Sequence, residues 1–224
     1  MGGVRNLSFH RLNNLADAAD GEDIEAQTYN NGDILFKEGS SSNGLFFIER
    51  GTILLTTLGA DGSHAAIRTA TADNFIGFLS LVRGTNYTST AMAIEDDCQV
   101  RFVSKAIFNE ALTDNSFANG FIKILCERIQ SIENHIVDLK TKSVRQRLAI
   151  VLIMFENAFK KRSQKESPLI SLKKKDIARI VGTAPETLSR HLAEFENEGF
   201  IELHIKGIKV INHPGLYTIA NISD

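Results

Sequence analysis

Between Phe117 and Leu139 a stripe of apolar residues is spaced so strictly that few folds can hold it. Ile122, Leu125, Ile129, Ile132, Ile136 and Leu139 recur at intervals of 3, 4, 3, 4 and 3. This is a heptad seam, narrower than the face a helix turns toward its own core. The first set (Ile122, Ile129, Ile136) is all isoleucine and the second (Leu125, Ile132, Leu139) mostly leucine, which in parallel coiled coils favours two strands. The spacing therefore predicts a long helix that pairs with a second copy of the chain. The competing reading is a helix buried within one domain. Just upstream, Phe117, Phe121 and Ile124 fall on a flank from which they can pack on the domain before them.

Ahead of the seam the periodicity is different. From about Ala26 to Val103 the chain breaks into short β-prone runs at Ile34–Phe36, Leu45–Glu49, Thr52–Leu58, Ala65–Thr69, Thr88–Ala93 and Gln99–Val103. Turn signals separate them: Asn31-Gly32-Asp33, Glu38-Gly39-Ser40, Arg50-Gly51 and Asp61-Gly62. Many short strands at this spacing predict a sandwich or roll. A short helix is expected over Leu7–Leu15 and another over Lys105–Leu112, the latter capped by Ser104. Asp114 or Asn115 should cap the seam helix. Past Leu139, Lys140-Thr141-Lys142-Ser143 reads as a polar hinge, with Ser143 placed to cap the next helix. The run from Leu148 to Phe159 should be the buried helix of a second core, and Lys160–Pro168 a surface loop.

A chain of 224 residues has room for one large core or two ordinary ones. Its longest wholly apolar run, Leu148–Phe155, is too short to cross a bilayer, and Met1–Leu15 lacks the apolar centre of a secretion signal. Cys98 and Cys126 have no metal-like spacing, which fits a reducing cytoplasm. The net charge of −2 hides an asymmetry: residues 1–142 hold 12 Lys+Arg against 18 Asp+Glu, or −6, and residues 143–224 hold 13 against 9, or +4. An acidic first half with a basic second half suggests that only the second meets a polyanion; the competing reading is an uneven solvated surface.

Within that half, Leu172–Phe200 reads as helix, tight turn, helix. Lys173-Lys174-Lys175-Asp176 opens a helix whose Ile177, Ile180 and Val181 face inward, and Gly182 supplies the left-handed residue that ends it. Pro185 suits the first turn of a second helix. With Leu188, Leu192 and Phe195 buried, Glu186, Ser189 and Arg190 share the opposite face near the helix N-terminus, where a helix-turn-helix touches bases. Arg190 can donate twice to guanine, Glu186 can accept from cytosine, and Ser189 can do either. Lys173, Lys174, Lys175, Thr183, Thr187 and His191 are the candidates for phosphate contacts. The rival for Glu186 and Arg190, four residues apart, is a solvated salt bridge. Beyond them Phe200–Ile211 reads as a hairpin turning near Lys206-Gly207, a wing beside the helix pair.

Asp176-Ile177-Ala178-Arg179-Ile180-Val181-Gly182 followed by Glu186-Thr187-Leu188-Ser189-Arg190 resembles the cAMP receptor protein/FNR superfamily of bacterial transcription regulators, the second segment being an E-T-x-S-R helix like that of FNR-type members. The front half resembles the family's cyclic-nucleotide-type roll through Glu38-Gly39, Phe46-Phe47-Ile48-Glu49-Arg50-Gly51 and Phe75-Ile76-Gly77-Phe78-Leu79-Ser80-Leu81. The resemblance implies an α+β chain: a β-roll (jelly roll) sensor over residues 1–114, a dimerisation helix and hinge over 115–142, and a winged helix-turn-helix over 143–224. It also implies a homodimer reading a palindrome with TTGA-like half-sites in double-stranded DNA, with RNA polymerase as a further partner. The effector pocket it implies is Phe75, Gly77, Phe78, Leu79, Ser80, Thr88 and Ser89.

Two departures bear on the effector. Nucleotide-binding members carry a Glu for the ribose and an Arg for the cyclic phosphate where this chain has Phe78 and Thr88 followed by Ser89. A buried phosphate needs a compensating charge, so ordinary cAMP binding is not expected. FNR-type iron–sulfur clusters use four Cys and this chain has two. Haem stays open, with His10, His64, Met92 and Cys98 as candidate ligands, and the small-molecule effector is unidentified. Two rivals to a DNA-binding regulator remain. One is a nucleotide- or haem-sensing module acting on a protein partner. The other is a cupin-type enzyme, whose clustered His and carboxylate ligands contrast with six scattered histidines.

Overall fold

A computed structural model describes residues 24–59, 64–163 and 168–222. The helix expected over Leu7–Leu15, the turn at Asp61-Gly62, His10 and part of the loop expected over Lys160–Pro168 lie outside the described residues. The chain divides into two units, Met1–Glu133 and Asn134–Asp224.

Among its described residues the first unit holds eight strands, β1 (Ile24–Tyr29), β2 (Ile34–Phe36), β3 (Gly44–Arg50), β4 (Thr52–Leu58), β5 (His64–Thr71), β6 (Phe75–Ile76), β7 (Thr90–Ala93) and β8 (Cys98–Ser104). They form two antiparallel four-stranded sheets ordered β1-β8-β3-β6 and β2-β7-β4-β5. Strand β3 reads as a continuous apolar run because both its faces are covered. Phe46 and Ile48 join one core with Ile53, Leu55, Ala91 and Val100, and the alternate residues Leu45 and Phe47 join a second with Phe75, Leu81, Val103 and Phe108.

Helices close that second core. The short helix α1 (Phe78–Arg83) follows β6, and α2 (Lys105–Ala111) starts where the Ser104 hydroxyl accepts from the Ile107 amide at 3.3 Å. Helix α3 (Asn115–Thr141) is capped by Asp114, whose carboxylate accepts from the Phe117 amide at 2.8 Å. Its opening turns bury Phe117, Gly120 and Phe121, with the Phe121 ring 5.2 Å from that of Phe108. The unit boundary therefore falls inside α3 rather than at the hinge. The start of the helix belongs to the core of the roll, and Leu139 near its end lies beside Gly182, 3.6 Å from where a Cβ would stand.

In the second unit Ser143 and Gln146 form a reciprocal capping box. The Ser143 hydroxyl accepts from the Gln146 amide at 3.2 Å, and the Gln146 carboxamide oxygen accepts from the Ser143 amide at 2.9 Å. Helix α4 (Val144–Ser163) buries Leu148, Leu152 and Phe155, and runs into the segment expected to be a loop. It is followed by β9 (Leu169–Ile170), α5 (Lys174–Val181), α6 (Pro185–Asn197), the hairpin β10 (Ile201–His204) and β11 (Gly207–Val210), and α7 (His213–Ala220). The three strands make one sheet in the order β10-β11-β9. No helix among the described residues is long and apolar enough to cross a membrane.

One charge sits awkwardly in this core. The side chain of Glu156 on α4 is 4% exposed, with one carboxylate oxygen 3.0 Å from His213 Nδ1 and the other without a hydrogen-bond partner. Burial raises its pKa, and His213 and Lys160 oppose that only in part. The folded state thus holds this proton more tightly than the unfolded chain. The resulting stability is fully present below the ordinary value of 4.5 and is lost as pH rises through the raised one. In thermal denaturation across that window, the melting temperature of Glu156→Gln should decline less with rising pH than that of the wild type.

Candidate functional site

Four groups fix the helix pair. Gly182, at φ 71°, ends α5 in the left-handed conformation, and the amides of Gly182 and Thr183 reach back to the carbonyls of Arg179 and Ala178 at 3.2 and 3.0 Å. Pro185 occupies the first turn of α6, where its missing N–H costs nothing. Asp176 is buried in the first turn of α5 and pairs with Arg179 at 3.3 Å. Arg147 of α4 donates to the Val181 carbonyl at 2.9 Å, the Gly182 carbonyl at 3.2 Å and the Lys142 carbonyl at 2.8 Å. Composition gave no hint of that role. The signal that could have found it is the Ser143-x-x-Gln146 box, which sets Arg147 in a helical first turn pointing back at the hinge.

Helix α6 buries Leu188, Leu192 and Phe195 as their spacing predicts. Glu186, Ser189 and Arg190 are exposed together on the other side. The salt bridge expected as the rival does not form. Arg190 leans instead toward Glu194, at 3.9 Å and with its side chain 68% exposed, and Glu186 pairs with no described residue. The site therefore offers a free acceptor and a fork of donors one helical turn apart. His191 is less available than its position suggests. Its Nδ1 lies 2.8 Å from the Glu194 carboxylate, whose pKa this bond lowers, which leaves Nε2 as the atom for an outside contact. Behind that exposed face, Arg145 stacks over the Phe195 ring at 4.7 Å and pairs with Glu194 and Glu198.

Lys173, Lys174 and Lys175 are all exposed at the start of α5, Lys173 being its N-cap and Lys174 its first residue. Thr183 and Thr187 are half-buried at the turn and in the first turn of α6, and Ile180 is only half-buried where a fully inward position was expected. At the tip of the β10–β11 hairpin, Ile205 and Lys206 stand in solvent.

In the roll, the residues expected to form the effector pocket do not all face one space. The ring of Phe75 is buried against Phe47 at 5.0 Å, and Phe78 stands edge-on to Phe121 at 5.6 Å. Gly77 is the left-handed residue between β6 and α1. Ser80 and Ser89 are buried, Ser80 accepting from the Thr88 amide at 3.3 Å, while Thr88 and Leu79 are exposed. Of the candidate haem ligands within the described residues, His64 is exposed and Met92 half-buried. Cys98 is buried, its thiol 3.3 Å from the Glu95 carbonyl. Sequence reading passed over Arg68 on β5 and Arg128 on α3, both half-buried. Burial first, and Arg128 second, lower the pKa of the Arg68 guanidinium to about 9, so it is still charged at neutral pH.

This architecture matches known proteins along most of the chain. Residues 26–115 match the cyclic nucleotide-binding domain and residues 146–219 the Crp-like helix-turn-helix domain. The chain is 29% identical over 194 residues to electron transport regulator A of Shewanella oneidensis, covering 84% of this chain and 76% of that one. It is 27% identical over 201 residues to the fumarate and nitrate reduction regulatory protein of Vibrio cholerae, covering 86% and 77%. Among solved structures, FixK2 from Bradyrhizobium japonicum superposes with a TM-score of 0.75 at 19% identity, covering 90% of this chain and 99% of that one. A CRP/FNR-family regulator from Thermus thermophilus superposes with a TM-score of 0.74 at 18% identity, covering 88% and 98%. With both domains present in this order and relatives of that kind along its length, the chain belongs to the CRP/FNR superfamily of transcription regulators.

Proposed function

We propose that this chain is a homodimeric, sequence-specific regulator that reads a palindromic DNA site with α6 and is controlled by a small molecule bound to its roll. The observation that carries the reading is the exposed face of Glu186, Ser189 and Arg190, presented by a helix whose opposite side is fully buried. In a TTGA-like half-site Arg190 meets the guanine and Glu186 a cytosine on the opposite strand. Two such helices meet half-sites about one turn of DNA apart. Three lysines at the start of α5 sit at the positive end of its dipole, where they disfavour the helix. Phosphates arriving there reverse that penalty.

Dimerisation rests on the seam. Ile122, Ile129, Ile132, Ile136 and Leu139 are each between 44% and 57% exposed in the single chain, and Leu125 is half-buried against the roll. A matching stripe from a second copy covers them. As an activator or repressor at a promoter in the cytoplasm, the dimer would act on RNA polymerase. The effector is neither cAMP nor an iron–sulfur cluster on this reading, because Phe78 and Thr88 stand where charged partners are needed and the chain has two cysteines.

Mobility shifts on palindromic and random DNA test the central claim, and a wild-type protein that binds neither would redirect the reading toward a protein partner. Three outcomes are expected. Arg190→Ala should cost on the order of 1 to 3 kcal/mol per half-site and relax preference at the guanine, whereas Lys174→Ala should weaken all sequences alike and flatten the salt dependence. Equal losses on specific and random DNA for Arg190→Ala would make Arg190 a phosphate contact. Ile129→Lys should dissociate the dimer in sedimentation at a cost of at least a few kcal/mol, with DNA affinity falling alongside. A wild-type protein that is monomeric at micromolar concentration contradicts the seam. Calorimetry with cAMP should show no binding at physiological nucleotide concentrations and no gain in DNA affinity. Micromolar affinity with such a gain would mean other groups replace the missing charges.

A further inference from the structure

Among the described residues, Arg68 of the roll and Arg128 of α3 carry charge with no acid paired to either. Arg68 belongs to the inward face of β5. Residues alternate faces along a strand, and Ala70, two positions on, is in the core, as is Leu55, paired directly with Arg68 across the β4–β5 ladder. The Arg68 guanidinium donates to the Phe75 carbonyl at 3.3 Å, and the charge acting on it is a second guanidinium, that of Arg128. Arg128 stands on α3 four residues after Ile124 and seven after Phe121, on the stripe turned toward the roll. The Phe121 ring lies 6.4 Å from Phe75 and 5.6 Å from Phe78, and Ile124 packs on the same cluster. Arg128 is half-buried and makes no ion pair or hydrogen bond with any described residue.

A cation withdrawn from water without a partner costs free energy, and two neighbouring ones repel. Planar guanidiniums from two elements also match the geometry of an oxyanion, which accepts paired charge-assisted hydrogen bonds. We propose that Arg68 and Arg128 are the anion-holding half of the effector site, clamping the phosphate or carboxylate group of a small molecule between β5 and α3. The proposal deepens, and rests on, the reading of the roll as the regulated domain. The half-buried ring of Phe78, edge-on to Phe121, supplies apolar surface on the same stripe of α3. One clamp arm is also the residue before Ile129 of the seam, so an anion that draws Arg128 toward Arg68 fixes the helix that presents the dimer contact.

Thermal denaturation of the full-length protein at constant ionic strength, in chloride, pyrophosphate or citrate, tests this with wild type beside Arg68→Gln and Arg128→Gln. Anions bound by the lysines of the second unit contribute equally in all three proteins, so differences isolate the roll. Pyrophosphate or citrate should raise the wild-type melting temperature saturably, and either substitution should weaken that anion's apparent affinity by at least about tenfold. The anion that acts identifies phosphate or carboxylate as the recognised group. The clamp is overturned if all three proteins respond alike to every anion. It is equally overturned if Arg128→Gln sediments as a monomer yet keeps the full anion shift, which would assign Arg128 to the contact between chains. Either result leaves the DNA reading intact, whereas failure of the wild type to bind palindromic DNA removes that reading without altering the anion response.

Discussion

Three backbone carbonyls that no helical ladder can satisfy, those of Lys142, Val181 and Gly182, converge on the guanidinium of Arg147 at 2.8 to 3.2 Å. Two of them end α5 and the third ends the hinge, so one side chain fixes where the chain leaves α3 and where it turns into α6. A guanidinium suits this position because its donors form a rigid fork and its charge complements the negative end of a helix. Lys142 adds a second tie from the hinge, donating to the Ala220 carbonyl at 3.1 Å. The face of Glu186, Ser189 and Arg190 is thereby exposed on a helix whose opposite side is buried. The base-reading role proposed for Arg190 would need that immobility, because a mobile arginine contacts phosphate as readily as a base.

How much of this was legible depended on whether the signal was periodic. The seam and the buried stripe of α6 repeat at helical spacing, and the structure sets the first on one long helix and buries the second. The turn at Gly182 was equally legible, since a left-handed residue between a basic helix start and a proline has few alternatives. Elements without repetition were lost. Strand β1, Ile-Glu-Ala-Gln-Thr-Tyr, is a polar edge strand held by its ladder to β8, and β6 has only two residues. Helix α7 begins His-Pro-Gly, which reads as a turn. It is a helix because Pro214 lies in its first turn, the Asn212 side chain accepts from the Gly215 amide at 2.9 Å, and Gly215 lets the Phe200 ring approach where a Cβ would collide.

The proposed effector site shows a different limit. Departures at Phe78 and Thr88 were visible as missing charges, but Arg68 and Arg128 lie 60 positions apart in sequence. Only the β4–β5 register and the phase of α3 reveal that both turn toward the roll. A strand arginine and a helix arginine each look like ordinary surface residues until the fold takes away their solvent. Charges that a sequence lacks at an expected place can be read directly, whereas charges gathered from two elements cannot.

The exposed seam of α3 also has a consequence for abundance. If a second copy covers the five seam side chains that α3 leaves exposed, as proposed, the assembly is governed by mass action. Occupancy of the proposed palindrome by the proposed dimer would then rise faster than in proportion to the number of chains in the cell. Dilution at division acts on it twice, through the amount of protein and through the fraction assembled. On that proposal, the helix that follows the roll would make the regulator a gauge of its own copy number.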